Sequence, residues 1–298
     1  MTSINLNLAT SNKASIYGLI ALVTGGASGI GFSIAKVFAE AGAKVAITDI
    51  DRPRLDEAIR SLGYNTIGYH CDVSSWTSQC QAFERLRQDL GSPDIVCLNA
   101  GIDHELARSC CRTDIGKKQL DNSVRYNYLA EDFDETKQLK QPPSSIFDVN
   151  FYGVLNGIKL AHHYMQHGQG GRIIVTGSAA SYVGYPSQDV YVASKHAILG
   201  LIRATSRRTE FNDKKCRISL SMVAPGLTDT PLTSALIAKE ATFPVASTAS
   251  DVALAVMYLA TVDHEQANGR CLWIQGSRVI ELERSYQEWL DETVLTIE

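Results

Sequence analysis

The sequence predicts an α/β fold, a doubly wound parallel sheet flanked by helices. Three observations predict it. Short apolar runs alternate with amphipathic helical stretches along most of the chain. The first run passes directly into a glycine loop and then a helix. No boundary or repeat divides the alternation, so residues 17–298 are expected to form one domain. Residues 1–16 precede it as a flexible arm, 103–143 interrupt it as an insertion, and 278–298 form a tail.

The elements follow in order. Residues 1–13 are polar and lack the apolar core of a secretion signal. Residues 19–24 form an apolar run suited to a strand buried on both faces. Gly25-Gly26-Ala27-Ser28-Gly29-Ile30-Gly31 follows at once. Ile30, Ile34, Val37, Phe38 and Ala41 then recur at helical spacing, and Gly42 stops the helix. Glycines here let the backbone approach a pyrophosphate, whose charge the helix N-terminus stabilises. The alternative is a tight turn that needs glycine only for its backbone angles. Residues 44–48 form the second strand, ending at Asp49. That is about twenty residues past the loop, where a carboxylate can accept from both adenosine ribose hydroxyls and repel a 2′-phosphate. Asp51 adds a second negative charge beside Arg52, which favours NAD over NADP. A helix cap for the segment from Pro53 is the alternative role for Asp49.

A third strand at 65–71 ends in Asp72-Val73, and Trp76, Cys80, Phe83, Leu86 and Leu90 mark a helix face. The fourth strand, 94–98, runs into Asn99-Ala100-Gly101. The polar insertion lacks periodicity and reads as a surface insertion, either a disordered loop or a lid near the active site, with Tyr126, Tyr128 and Phe133 available to pack it down. One helix is expected over 143–167, with Asn150 near its start. A strand at 171–176 ends in Gly177-Ser178, and a helix follows to about Phe211. A sixth strand at 217–223, a helix at 251–260, a last strand at 270–274 and a short tail helix complete the chain.

The helix after Ser178 carries Tyr191-Val192-Ala193-Ser194-Lys195. Residues four apart project from one helix face, so an ammonium sits close to a phenol. A free phenol has a pKa of about 10 and exchanges protons poorly at neutral pH. A fixed cation beside it favours the phenolate and is expected to lower that value.

Composition narrows the function. The chain has 298 residues, 45% hydrophobic and 20% charged. Its 28 basic and 32 acidic residues give a net charge of -4, with no reason to expect a nucleic-acid or anionic-membrane partner. No run approaches the roughly 18 apolar residues of a membrane span. Seven cysteines without a Cys-x-x-Cys argue against a disulfide framework or zinc ribbon, and suggest reduced thiols in a cytoplasmic protein. Adjacent Cys110 and Cys111 read as loop thiols rather than a redox pair. His163 and His167 are four apart, but no third ligand is evident, so no metal is expected.

The ordered set Thr24-Gly25-x-x-x-Gly29-Ile30-Gly31, Asp72, Asn99-Ala100-Gly101, Asn150, Ser178, Tyr191-x-x-x-Lys195 and Pro225-Gly226 with Thr230 resembles the short-chain dehydrogenase/reductase family. The resemblance covers residues 19–276 and implies a Rossmann-type sheet with NAD across its carboxyl edge. It implies that Tyr191 is the acid/base, that Ser178 binds the substrate oxygen, and that Lys195 holds the nicotinamide ribose and tunes Tyr191. Ser178 lies thirteen residues before Tyr191, the family's usual spacing, which selects it over Ser181. Asn150 would hold a water linking Lys195 to solvent. Asp72 and Val73 would flank adenine, Gly25, Ser28, Gly29, Ile30 and Gly31 would wrap the pyrophosphate, and Asn99, Ala100 and Gly101 would support the cofactor. Pro225 and Gly226 would contact the cofactor, and Thr228 and Thr230 would lie near the nicotinamide carboxamide. Two departures stand out. The path from Gly101 to Asn150 is longer than usual, and Leu98 replaces the family's common first asparagine.

Tyr182, Val183, Tyr185 and Pro186 follow Ser178, while Leu227, Pro231, Leu232, Leu236, Ile237, Phe243 and Pro244 follow Pro225-Gly226. Both loops are apolar, which suggests a hydrophobic secondary alcohol or ketone as substrate, unless these side chains only close the core. Ala193, Ala197, Gly200 and Ala204 form a small-residue stripe that permits close helix approach, and the family pairs this helix in homodimers or homotetramers. Asp49 favours NAD, which cells hold mostly oxidised, so alcohol oxidation is the expected direction. An NADPH-dependent ketone reductase, a noncatalytic cofactor-binding protein, and a dehydratase or isomerase on the same fold remain the alternatives.

Overall fold

The structure is a computed structural model that describes residues 2–4, 13–105, 128–129, 131–166, 168–186, 188–212, 217–233 and 246–293. In chain order the strands are β1 (Thr2–Ser3), β2 (Ile20–Thr24), β3 (Lys44–Asp49), β4 (Thr66–His70), β5 (Ile95–Leu98) and β6 (Gly171–Thr176). They continue with β7 (Ile218–Pro225), β8 (Thr228–Asp229), β9 (Ser247–Thr248), β10 (Cys271–Gln275) and β11 (Arg278–Glu281). The main helices are α1 (Gly29–Glu40), α2 (Arg52–Leu62), α3 (Trp76–Asp89), α4 (Gly153–Met165), α5 (Asp189–Thr205), α6 (Ala249–Thr261) and α7 (Glu283–Thr293).

Seven strands run parallel in the order β4-β3-β2-β5-β6-β7-β10. Their continuous apolar runs have the physical cause expected of them, burial on both faces. Along β2 the side chains alternate between two cores. Ala21 and Val23 join α1 and α6 through Ile34, Phe38, Val252 and Val256. Leu22 joins α3, α4 and α5 through Phe83, Ile158 and Ile198. Phe38 is fully buried, a transfer worth about 2–3 kcal/mol. The chain leaves β2 toward β3 on one side and later toward β5 on the other. This reversal opens a crevice at the strands' carboxyl ends.

Two glycines shape the crevice. Gly25 has φ +65° and packs so that a methyl group there would lie 2.9 Å from Ala100 Cα. At Gly31 a methyl group would sit 2.1 Å from the Gly25 carbonyl oxygen, so only glycine lets α1 start so close to the loop.

The structure departs from the sequence expectations in three places. The helix expected over 143–167 forms without interruption from Ser145 to Met165 but carries a π turn: Ser145–Phe147 is helical, Asp148–Tyr152 forms the π turn, and α4 then continues it. Asn150 lies inside the π turn. Such turns re-aim a side chain within a helix, and this one buries the Asn150 amide completely. At the insertion, Asp103 and Glu105 are buried, whereas 131–144 is exposed throughout. Tyr128 and Phe133 are themselves exposed and do not pack it down, and Tyr126 lies outside the described residues.

The third departure is at the sheet edge. Thr2 and Ser3 were expected in a flexible arm, but they pair antiparallel with Glu281 and Ile280 of β11. β11 in turn pairs antiparallel with β10 through a tight turn at Gly276. Without these two strands the outer amides of β10 would lack partners, the usual hazard of an edge strand. α7 then starts on Glu281, whose carboxylate accepts from the amides of Glu283 and Arg284. Glu283 holds Arg203 of α5 at 2.7 and 3.0 Å, and the Tyr182 hydroxyl donates to it at 2.8 Å.

Candidate active site

The carboxyl ends of the central strands open on a cleft of about 500 Å³. Gly25, Ser28, Gly29, Ile30, Asp49, Asp72, Val73, Asn99, Ala100 and Gly101 line one part of it, and Ser178, Tyr191, Lys195, Pro225, Gly226, Thr228 and Thr230 line the rest. Gly31 and Asn150 stand behind this lining. The spacing arguments therefore gather residues from seven separate segments into one wall.

At one end, Ser28 precedes α1 in extended backbone and makes no side-chain cap bond. The first amides of α1 are thus left for a ligand, and the bare glycine backbone brings them to the surface. Asp49 accepts from the amides of Ala27 and Asp51, both at 3.1 Å, which ties β3 to the glycine loop. The cap of α2 is Asp51, which accepts from Arg54 at 3.1 Å, so Asp49 is not the helix cap. Asp72 is held by an Asx turn with Ser74. Asn99 joins three strands: its side chain donates to the Thr24 and Gly25 carbonyls and accepts from Thr176 Oγ1 at 3.1 Å. Thr24 Oγ1 returns the contact by accepting from the amides of Asn99 and Ala100. These bonds fit the groove to an extended, partly anionic ligand such as a dinucleotide.

At the other end, Tyr191 and Lys195 share one face of α5. Lys195 is 4% exposed, and its Nζ donates to the Thr176 carbonyl at 3.1 Å. It lies 5.6 Å from the centre of the Tyr191 ring. The expected lowering of the phenol is not seen. Burial pushes Tyr191 up to about 12, opposed by the Ser178 hydroxyl and reinforced by Asp103 and Tyr185. Burial also pulls Lys195 down to about 8, with Asp103 opposing. Desolvation by burial dominates for both groups, and the Lys195 ammonium is taken up by the Thr176 carbonyl.

Ser178 caps the short helix Ala179–Ser181, its Oγ accepting from Ala180 at 3.1 Å. That leaves the hydroxyl proton free to point toward Tyr191. Asn150 is fully buried and fully used: Oδ1 accepts from the Ile102 amide at 2.9 Å, and Nδ2 donates to the Ile102 carbonyl and to Ser194 Oγ. Thr228 Oγ1 donates to the Gly226 carbonyl, and the Thr230 and Thr233 hydroxyls lie 3.0 Å apart.

Ile102, Val149, Pro231 and Leu232 give the cleft an apolar mouth. Tyr182, expected there, instead bonds Glu283 and packs on Trp273. Leu236, Ile237, Phe243 and Pro244 lie outside the described residues, as do Cys110, Cys111 and His167. Among the described residues no three side chains are grouped as metal ligands, and Cys71, Cys80, Cys97 and Cys271 are free thiols. No helix there is long and apolar enough to cross a membrane. Sequence reasoning missed Ile50, Cys71, Ile102, Val149, Thr176 and Thr233 in the lining. Thr176 could have been found, since it ends a strand at the crevice edge.

A family model described as "short chain dehydrogenase" matches residues 19–241. The chain is 32% identical to "Short-chain dehydrogenase/reductase prx4" of Penicillium roqueforti, over 99% of this chain and 79% of that protein. It is 30% identical to "Borneol dehydrogenase, mitochondrial" of Lavandula x intermedia, over 90% of this chain and 93% of that one. The fold is similar to a crystal structure of 3-ketoacyl-(acyl-carrier-protein) reductase from Brucella melitensis complexed with NADH. That match has a TM-score of 0.69 at 23% identity and covers 88% of this chain and 98% of that one.

Proposed function

The chain belongs to the short-chain dehydrogenase/reductase family, and from that premise we propose that it oxidises a hydrophobic secondary alcohol with NAD. The observation that carries this reading is one cleft with Asp49 at one end and Ser178, Tyr191 and Lys195 at the other. Bound NAD supplies the hydride acceptor. The glycine loop from Gly25 to Gly31 would hold the pyrophosphate against the amides that Ser28 leaves uncapped, and Asp49 would hold the adenosine ribose. Asp72 and Val73 would flank adenine, Asn99, Ala100 and Gly101 would support the cofactor, Pro225 and Gly226 would contact it, and Thr228 and Thr230 would lie near the carboxamide.

Ser178 donates its free proton to the substrate oxygen, and Tyr191 Oη takes the hydroxyl proton. Lys195 holds the nicotinamide ribose, and Asn150 supports the proton path by fixing Ile102 and Ser194. Lys195, together with the positive charge that an oxidised nicotinamide would supply there, would favour the phenolate against the burial that holds the phenol high. The apolar mouth suits a hydrophobic substrate, and one relative is named for borneol, an apolar secondary alcohol. Free buried thiols support a cytoplasmic setting, and the exposed Ala193, Gly200 and Ala204 face of α5 supports a homodimer or homotetramer.

A panel of apolar secondary alcohols, followed at the absorbance of reduced cofactor with NAD and with NADP, tests the reading. Turnover with NAD and little with NADP is the expected result. Preference for NADPH and ketones would instead favour the reductase, with Arg52 offsetting Asp49. Tyr191→Phe is expected to lose at least about 100-fold in kcat while remaining folded. Near-unchanged turnover would remove the acid/base role.

A further inference from the structure

We propose that Glu105 is a positioning residue for Tyr191, capping the catalytic helix from outside that helix. The proposal rests on the reading of Tyr191 as acid/base. α5 has no cap of its own, because Gln188 at its N-cap makes no side-chain bond to the helix amides. Gln188 Nε2 donates instead to Asp103 Oδ2 at 2.5 Å. Glu105 supplies the missing acceptors: Oε2 takes the Tyr191 amide at 2.8 Å and Oε1 the Val190 amide at 3.4 Å. Glu105 is 1% exposed, so water does not substitute for it freely. Asp103 Oδ1 accepts from the Glu105 amide at 2.9 Å and fixes the turn that presents the carboxylate.

A continuous run of bonds therefore reaches the backbone of Tyr191 from Asn150. Asn150 grips Ile102, Ile102 leads to Asp103, and Asp103 fixes both Glu105 and Gln188. Glu105 then grips the backbone of Tyr191 itself. A carboxylate is the right group there, since the first amides of a helix carry partial positive charge. A displacement of about 1 Å in a catalytic group can cost as much as 100-fold in rate.

The test compares Glu105→Ala and Glu105→Gln in the full chain, with Tyr191→Phe as control. Amide hydrogen exchange is read at Val190 and Tyr191, and kcat and KM are read with NAD and an accepted alcohol. In Glu105→Ala the two amides should exchange at least about tenfold faster, with α1 and α6 unchanged. Its kcat should fall about tenfold or more, with KM for NAD within about twofold. Glu105→Gln keeps one oxygen acceptor and should recover most of the kcat, whereas a purely structural loss would follow stability and leave Gln no advantage in the split between kcat and KM. Unchanged exchange, unchanged kcat, or a Gln variant no better than Ala would each overturn the proposal. If Glu105→Ala does not fold, Glu105→Gln alone decides: Tyr191 exchange faster than wild type with kcat lowered only a few-fold supports the cap, and unchanged exchange overturns it. Exchange needs no turnover, so an inert wild type or a fully active Tyr191→Phe would sink the catalytic reading without touching the cap.

Discussion

Lys195 sits in an environment that opposes its ordinary chemistry. Its ammonium is buried and pulled down to about 8 from an ordinary lysine value of 10.5. The folded state therefore binds fewer protons at this site than the unfolded chain between those two values. Stability from this group rises with pH across that window and is weakest below it. Lys195→Met should remove the rise. Urea melts of both proteins between pH 7.5 and 9.5 should show wild type gaining stability relative to the variant as pH increases, and parallel curves would refute the assignment. The same residue shows how much of the site was legible. Tyr191, Lys195 and Ser178 could be named because each sits at a fixed spacing from another, and Asn150 from its place in the family's ordered set. Which way the Lys195 ammonium would turn could not, since it depends on the Thr176 carbonyl at the end of another strand. Glu105 and Gln188 escaped notice for a related reason, because their bonds cross to partners far away in sequence.

Among the elements, the turn from β2 into α1 has the least freedom. The methyl clash at Gly31 is with backbone, the Gly25 carbonyl, and backbone there cannot move without displacing the loop that faces the cleft. Gly31→Ala should lower stability by about 1–3 kcal/mol and weaken cofactor binding together. A thermal melt and a dinucleotide titration by fluorescence would check both, and an unshifted Tm would show that the loop tolerates more than its geometry implies. This element was fully legible, since strand, glycines and helix each carry a local signal. The π turn at Asp148–Tyr152 was not, because no local breaker marks it and the bond Asn150 makes there is to Ile102, far away in sequence.

For the molecule as a whole, α5 leaves Ala193, Gly200 and Ala204 exposed, and a side chain at Gly200 would meet nothing within 4 Å. A helix face so free of bulk permits close approach of a second copy. Light scattering at micromolar concentration should return two or four times the 32.5 kDa chain mass, and a monomer would show that this face stays open. The parallel sheet was readable because its central strands are buried on both sides and therefore apolar throughout. The edge made by β1 and β11 was not, since two-residue pairing has no periodicity to detect. That edge also bears on synthesis. Thr2 leaves the ribosome early but finds its partner only when Glu281 has been made, so this border of the sheet closes last. A product halted before residue 278 would keep the outer rim of β10 unpaired, and such fragments should collect in the insoluble fraction while the finished protein does not.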